Sequence, residues 1–598
     1  METSYSHSFL SAVDRHAYPL ANALAPVLLG QVGFSSAGYP YLEADLFRSL
    51  RDTLPLLFQG GQVVRDTVDM LCEVSAPHLN IDAHANLESA AKVVRTILNT
   101  AAVTAPPDLW LLRQVFQTWQ KIGLIEAVLS QEGISPENCG LLENEIKIDL
   151  KFLLSRGYLV ERGGRYHTST EPRVLTLLQK SQIDTLPLPF STPGEWTRFF
   201  NQESLDPATT KRLADFLRAP GPEVIPREHW SATWDEINLG YRWVPVLLGM
   251  HQSPCSLALA SGNPINEIEK QWRDTPIGTP LIKLLQNAGV AKYLDGSFVP
   301  TSIGRRVFAR ATGPFGIIQA YQPYMDHLEE ILNKGRQQVH VQRGPNVAAS
   351  QLANRSSFEK INESLDSFCK DTGFSYNLYI EHALGRGEAT RQRFEKNGNT
   401  ISYVGADLEQ ASIDSAQAEQ RKGHLPKEMC FLSGADIGQP QILLSYLRER
   451  ELSPKYGVMI VGNGFHEVRG QTDERVIDIF RGYHDAGLIL LFTEESALSV
   501  EHLLETAWNT YHAGFKYVHE RSGQGLRPAR KGPGPEMGPE LPMSWHQCAS
   551  HAGYFPLDNY TTRTRTIFPY APQDGFNPAI SVNHFFIPGA LAQELELI

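Results

Sequence analysis

An α-rich amino-terminal half followed by an α/β domain built on a mostly parallel, seven-stranded sheet is the multidomain fold this sequence predicts, and three observations carry that expectation. The chain has 598 residues, more than one hydrophobic core accommodates, since cores stop growing near about 250–300 residues. Its first half repeats one supersecondary unit. From Asn377 onward short apolar runs alternate with Gly-bearing loops and helical stretches, the order of a parallel sheet covered by helices. Three domains are expected, over residues 1–183, 184–345 and 346–598.

In the first of these, a helical run over Leu109 to Leu129 and another over Leu141 to Leu154 precede GYLVERGGRYHT, which alternates like two short strands around Gly163 and Gly164. The order recurs with helices at Tyr241 to His251 and Thr279 to Ala288 and then GVAKYLDGSFVPT, and LLSRGYLVERGGRYHTS aligns with LLQNAGVAKYLDGSFVPTS. Helix, helix and hairpin make each unit winged-helix-like. Pro-rich stretches at Asp184 to Gly194 and Pro220 to Arg227 read as connectors. A DNA-reading helix would be basic, but Asn144 to Leu153 sets Glu145 and Asp149 beside Lys147 and Lys151. Dimerisation or a lid over the last domain is the expected role, so a homodimer is among the expected assemblies.

Bulk properties narrow the function classes. A formal charge of −12 opposes a phosphate backbone, and nucleic acid is not an expected partner. Apolar stretches such as Leu20 to Val32 are broken by Asn22, Pro26 and Gly30 and fall short of the ~20 residues a membrane span needs. The amino terminus lacks the basic start and apolar run of an export signal, and six scattered cysteines form no C-x-x-C pair. A cytoplasmic location with reduced thiols and no membrane partner is expected.

In the last domain, NLYIEHALGRGEATRQRF reads as a strand, a loop with Gly385 and Gly387, and a helix opening at Glu388. Glycines there let backbone approach a ligand at the strand ends. ISYVGADLEQASIDSAQ is a second strand ending at Asp407, where a carboxylate can accept hydrogen bonds from a ribose diol. MCFLSGADIGQPQ is a third, leading to Asp436 and Ile437, a carboxylate for an adenine amino group and an apolar neighbour for the ring. YGVMIVGNGFHEVR and AGLILLFTEES are a fourth and a fifth, and GYFPLDNYTTRTRTIFPY with PAISVNHFFIP reads as a closing antiparallel hairpin.

This Rossmann-like run, over roughly Phe358 to Ile598, resembles the class I S-adenosylmethionine-dependent methyltransferases. A dinucleotide-binding domain shares the first two motifs, but the closing hairpin favours the methyltransferase. The resemblance implies S-adenosyl-L-methionine as cofactor and, as its binding residues, Glu381, Gly385, Gly387, Asp407, Leu408, Asp436, Ile437 and Asn463. The family usually reads an acid followed by G-x-G-x-G; here Ala383 takes the first glycine's place and Arg386 enters the loop. Two winged-helix-like units ahead of such a domain, with TSIGRRVFARA and GADIGQPQ, are similar to the loading-module methyltransferases of saxitoxin-type and apratoxin-type polyketide synthases, which methylate malonyl groups on a carrier protein with a bound metal ion. That similarity implies secondary metabolism and a small-molecule or carrier-tethered substrate.

His466, just after the fourth strand, is the expected general base, because an imidazole with an ordinary pKa near 6.5 takes protons at neutral pH. Glu494 or Glu495 at the end of the fifth strand is expected to stand near it, Glu494 sharing the catalytic role. His466, Glu494, His512 and His546 are the residues that would ligate a divalent metal if one is used. The resemblance places MSWHQCASHAGYFP in a region the family uses for substrate, with solvent-facing residues as the alternative; nothing in the sequence marks its Cys548 as a nucleophile, and the Pro/Gly-rich stretch from Arg527 to Pro542 reads as a loop or lid. Two other functions compete: a reaction other than methyl transfer on the same cofactor, such as cyclisation or decarboxylation, and a silent methyltransferase-like protein that binds a partner.

Overall fold

The computed structural model describes residues 18–34, 40–179, 193–218, 231–251, 253–339, 344–508, 512–529, 541–566 and 579–598. The expected connectors and the lid fall largely on 180–192, 219–230 and 530–540, outside the described residues. The chain divides into two compact units. One contains the residues up to His340 together with Val500–Val518, and the other contains Val341–Ser499, His519–Ile567 and the carboxyl terminus. The segments expected as separate amino-terminal modules, 1–183 and 184–345, fall within the first unit as far as His340.

The first unit is organised on one long helix, Ile81–Lys121. Asn80 starts it by accepting the Ala83 N–H at 2.9 Å, and Trp110, Phe116 and Trp119 are buried along its second half. The sequence suggested a helix from Leu109 to Leu129. The structure instead breaks it at Gly123, which takes the left-handed φ of 78°, before a short helix over Leu124–Leu129. A second buried helix, Trp234–Met250, opens on a capping box between Thr233 and Glu236. Both expected hairpins are present, Leu159–Arg162 with Arg165–Thr168 and Ala291–Leu294 with Ser297–Pro300. Their tips, Gly163-Gly164 and Asp295-Gly296, have positive φ, which two-residue hairpin turns need to match strand twist.

The segment Val500–Val518 was not foreseen in this unit. Buried acids hold it there: Asp108 accepts the N–H of Gly514 at 3.1 Å and pairs with Arg156 at 2.9 Å. Asp149 accepts from the Tyr517 hydroxyl at 2.9 Å and from the Trp119 indole at 2.8 Å. Burial pushes the Asp108 carboxyl up to about 7 against the pull of Arg156.

In the second unit a sheet is formed by β1 (Leu378–His382), β2 (Ser402–Asp407), β3 (Cys430–Ser433), β4 (Val458–Gly462), β5 (Ile489–Glu495), β6 (Tyr554–Pro556), β7 (Thr562–Thr566) and β8 (Ala579–Pro588). The order is β3-β2-β1-β4-β5-β8-β6, with β1 to β5 parallel and β8 antiparallel to β5. Short β6 and β7 both pair along β8, so the sheet is seven positions wide although it holds eight strands.

Side chains alternate along each strand between two cores. Leu378, Ile380, Val404, Met459, Val461 and Phe492 pack on one face with α4 (Pro440–Glu449), α5 (Asp473–Asp485) and α6 (Trp545–His551). On the other face Tyr379, Tyr403, Ile460 and Leu491 pack with α1 (Gly344–Thr372), α2 (Glu388–Asn397) and α3 (Gln410–Arg421). Two such faces explain why the parallel strands read as nearly continuous apolar runs. Open parallel sheets bind ligands at the carboxyl ends of their strands, and the sequence-predicted site residues of this unit lie around that edge.

Candidate active site

The loop after β1 is built from backbone that favours glycine. Gly385 and Gly387 have φ of 53° and 80°, and Ala383 adopts the same left-handed region at 56°. An alanine there carries steric cost, because its Cβ crowds the following carbonyl. Asn463, after β4, also has a positive φ, at 53°, and its N–H donates to the carbonyl of Thr493 at 2.9 Å. A Cβ on Gly464 would come within 3.2 Å of the Ala383 methyl, so the turns after β1 and β4 meet closely.

Glu381 is 1% exposed, and its two oxygens accept the N–H groups of Ala389 and Thr390 at 3.2 and 2.7 Å. It caps the amino end of α2, where a carboxylate also suits the helix dipole. Burial pushes its pKa up to about 7, opposed by those hydrogen bonds.

Asp407 is buried at the end of β2, with Oδ2 accepting the Gly385 N–H at 3.0 Å and Oδ1 the Glu409 N–H at 2.9 Å. It therefore fastens the glycine loop to the tip of β2. The Ser412 side chain also bonds this carboxylate, so of its roughly four acceptor sites about one remains for a ribose hydroxyl. Burial raises its pKa and the two backbone hydrogen bonds oppose the rise. Leu408 beside it is half-exposed, and Arg386 turns to Glu419 of α3 at 2.8 Å.

Asp436 lies beyond β3 in a turn that it organises itself, with Oδ1 accepting from the Gly438 N–H at 2.8 Å and Oδ2 from the Gln439 amide at 2.9 Å. The carbonyl of Ile437 is held by the buried Tyr483 hydroxyl at 2.9 Å. Carboxylates at the tips of β2 and β3 and a glycine loop at β1 form a donor set suited to an adenosyl group: acceptors for a diol and an amino group, and apolar Leu408 and Ile437 for ring faces.

His466 sits in a short turn, Phe465–Glu467, and is 5% exposed; Glu494 on β5 is fully buried. His466 Nδ1 donates to Glu494 Oε2 at 2.7 Å, while Glu494 Oε1 accepts the N–H groups of Phe465 and His466 at 2.6 and 3.2 Å. Burial disfavours the imidazolium, but the Glu494 carboxylate outweighs it and the pKa lies above the ordinary value. Glu467, next in sequence, stays 4.0 Å from Nε2. The structure thus brings the two expected catalytic residues together.

A further residue, His519, was missed. Its buried ring lies edge to face with that of His466, centroids 5.0 Å apart, and no motif in the sequence announces it. The metal candidates are not assembled: His546 is 3.9 Å from Asp558, and among the described residues no group of three or more His, Cys, Asp or Glu side chains is arranged to hold an ion. The expected substrate loop is in part the helix α6, opened by a capping box between Ser544 and Gln547. Cys548 in it is buried, and burial pushes its thiol up to about 11, the opposite of the lowered pKa of an activated thiol.

No family model matches the chain, and no curated protein matches it in sequence. Among solved structures it is similar to PigF with SAH (13% identity, TM-score 0.35, covering 58% of this chain and 97% of that one) and to an O-methyltransferase family protein from Burkholderia thailandensis (13%, 0.33, 58% and 96%). It is also similar to an O-methyltransferase family 2 protein from Planctomyces limnophilus in complex with apigenin (11%, 0.29, 81% and 96%). Strand order and the groups at the strand ends, more than these distant likenesses, define the site.

Proposed function

We propose that the second unit is an S-adenosylmethionine-dependent methyltransferase that deprotonates its acceptor with His466. The observation that carries this reading is the buried 2.7 Å hydrogen bond from His466 Nδ1 to Glu494. A carboxylate on Nδ1 fixes the tautomer and leaves the lone pair on Nε2 to accept a proton, and it stabilises the imidazolium that results. Such a pair suits an acceptor whose nucleophile carries a removable proton, a hydroxyl above all, on a small molecule or on a carrier-tethered group.

S-adenosylmethionine, when bound, supplies an activated methyl group. Asp407 is the residue we assign to the ribose diol, Asp436 to the adenine amino group, and Leu408 and Ile437 to its faces. The turns after β1 and β4 orient the reacting groups, and orientation is most of what an in-line transfer asks of a protein. Incubation with methyl-labelled cofactor and candidate hydroxyl acceptors, followed by mass spectrometry, tests the proposal. A labelled product that disappears in His466→Gln supports it. Consumption of cofactor without a methylated product would instead favour cyclisation or decarboxylation.

A further inference from the structure

The turn that carries His466 is held from two sides. From β5, Glu494 Oε1 accepts the N–H groups of Phe465 and His466. From the other side, the Phe465 carbonyl accepts the Gln471 side-chain amide, through Nε2, at 2.7 Å, in addition to the Val468 N–H at 3.2 Å. The His466 carbonyl accepts the Gly525 N–H at 3.0 Å. Both backbone donors and both backbone acceptors of these two residues are therefore engaged, and Gln471 is the side chain that supplies the donor opposite Glu494.

The Gln471 amide is itself fixed. Arg527, 1% exposed, donates its Nε–H to Gln471 Oε1 at 3.1 Å, while its Nη1 donates to Asp473 Oδ1 at 2.5 Å and to the Met543 carbonyl at 3.0 Å. A glutamine amide has an accepting end and a donating end, and a guanidinium only donates. Arg527 therefore takes the oxygen and leaves the nitrogen for the Phe465 carbonyl; a flipped amide would set donor against donor and acceptor against acceptor. Gly525 closes a third side. A Cβ there would come within 2.9 Å of Gln471 Cδ and Oε1, so the amide lies directly against the residue whose N–H holds the His466 carbonyl.

We propose that Gln471 is a positioning residue for His466, and that Arg527 sets the orientation in which its amide acts. The inference rests on the reading of His466 as the general base. Glu494 bonds the imidazole with one oxygen and the turn with the other, so a turn that shifts also draws Nδ1 away from its carboxylate. A base has to meet its proton at hydrogen-bond distance, and a misplacement of about 1 Å can cost roughly 100-fold in rate. Gln471 acts through the Phe465 carbonyl, opposing such a shift from the side that β5 does not reach.

The buried Nδ1–H of His466, hydrogen-bonded to a carboxylate, gives a downfield proton resonance in NMR spectra of the full chain at neutral pH, and its loss in His466→Gln assigns it. Gln471→Met, of similar length and without either polar end, should move that resonance upfield and lower methyl-transfer turnover by about tenfold. Affinity for S-adenosylhomocysteine, measured by calorimetry, should stay within about twofold. Gly525→Ala adds only a methyl, which should displace the amide and shift the resonance the same way; on a Gln471→Ala background it should lower turnover by less than about twofold more, since the two act through one contact. Thermal melts of the variants report folding. Gln471→Glu, which keeps an acceptor for Arg527 but, ionised, offers the Phe465 carbonyl no donor, replaces the methionine variant if that one does not fold. If the Gln471 variants melt lower while the resonance and turnover stay at the parental values, Gln471 is merely structural and the proposal is overturned. If the parent has no resonance that His466→Gln removes, or His466→Gln transfers methyl groups at the parental rate, the assignment of the base itself fails.

Discussion

Glu494 binds His466 twice, accepting its ring N–H with one oxygen and its backbone N–H with the other. The ring and the turn that carries it are therefore registered to β5 by a single carboxylate. Because the pKa of His466 is raised, its neutral, proton-accepting form predominates only above the ordinary histidine value. Methyl transfer should increase with pH along a limb centred above about 6.5. Glu494→Gln should move that limb to lower pH and reduce the plateau rate by about 10²–10³-fold. A pH profile of turnover checks both, and an unmoved limb would assign the titration to another group.

His466→Gln should lower turnover by about 10²–10⁴-fold while leaving the affinity for S-adenosylhomocysteine within about twofold, because in our reading the imidazole serves the acceptor. Calorimetry on the same preparation separates the two quantities. The linkage has a definite sign. The raised pKa means that protonated His466 adds stability below its unfolded value, and this is lost as pH rises through the folded value. The variant should lack that component.

The placement of the site's carboxylates at the strand ends was legible in the sequence, because the apolar runs before them read as strands. Asp407 and Glu494 lie in the last residues of strands, and Asp436 follows one, that composition made plain. Glu381 was harder: the motif suggests a cofactor contact, whereas its oxygens cap α2, and strand alternation alone does not say which face carries the ligand. His519 and the placement of Val500–Val518 depend on contacts between residues distant in the chain, which leave no periodic trace. The helix break at Gly123 turned on one left-handed residue in an otherwise helical pattern.

Asp407→Ala should weaken S-adenosylhomocysteine by at least about tenfold, the loss of charge-assisted hydrogen bonds worth about 1.5–3 kcal/mol. The structure adds a second effect, since the N–H groups of Gly385 and Glu409 lose their acceptor. The free protein should therefore also lose about 1–2 kcal/mol of stability. Calorimetry and denaturant unfolding give the two numbers, and unchanged affinity would withdraw the ribose assignment.

Ala383→Gly should be neutral or stabilising by up to about 1 kcal/mol, because relief of the left-handed φ exceeds the entropy that glycine brings to the unfolded chain. Removing the methyl that approaches Gly464 should leave cofactor affinity equal or improved. Melting curves with and without S-adenosylhomocysteine read both; a clear loss of stability would show that the methyl packs productively.

Asp149→Ala should cost the first unit about 2–4 kcal/mol, since it strands the buried donors of Trp119 and Tyr517. Tyr517→Phe, which removes one donor along with its bond, should cost about 1 kcal/mol. The ratio of the two in urea unfolding distinguishes a stranded donor from a lost contact.

The anchoring of Gly514 and Tyr517 in the first unit also governs how this protein can be made. A ribosome that has finished residue 340 still has roughly 180 residues to add before Val518, the last residue of the segment Val500–Val518 of that unit, exists. At about 5–20 residues per second the nascent first half waits roughly ten to thirty-five seconds with Asp108 and Asp149 unmatched by that segment. Expression of residues 1–340 alone is expected to yield a less stable chain than the same residues in the whole protein, because Asp108 and Asp149 lack the Gly514 and Tyr517 donors.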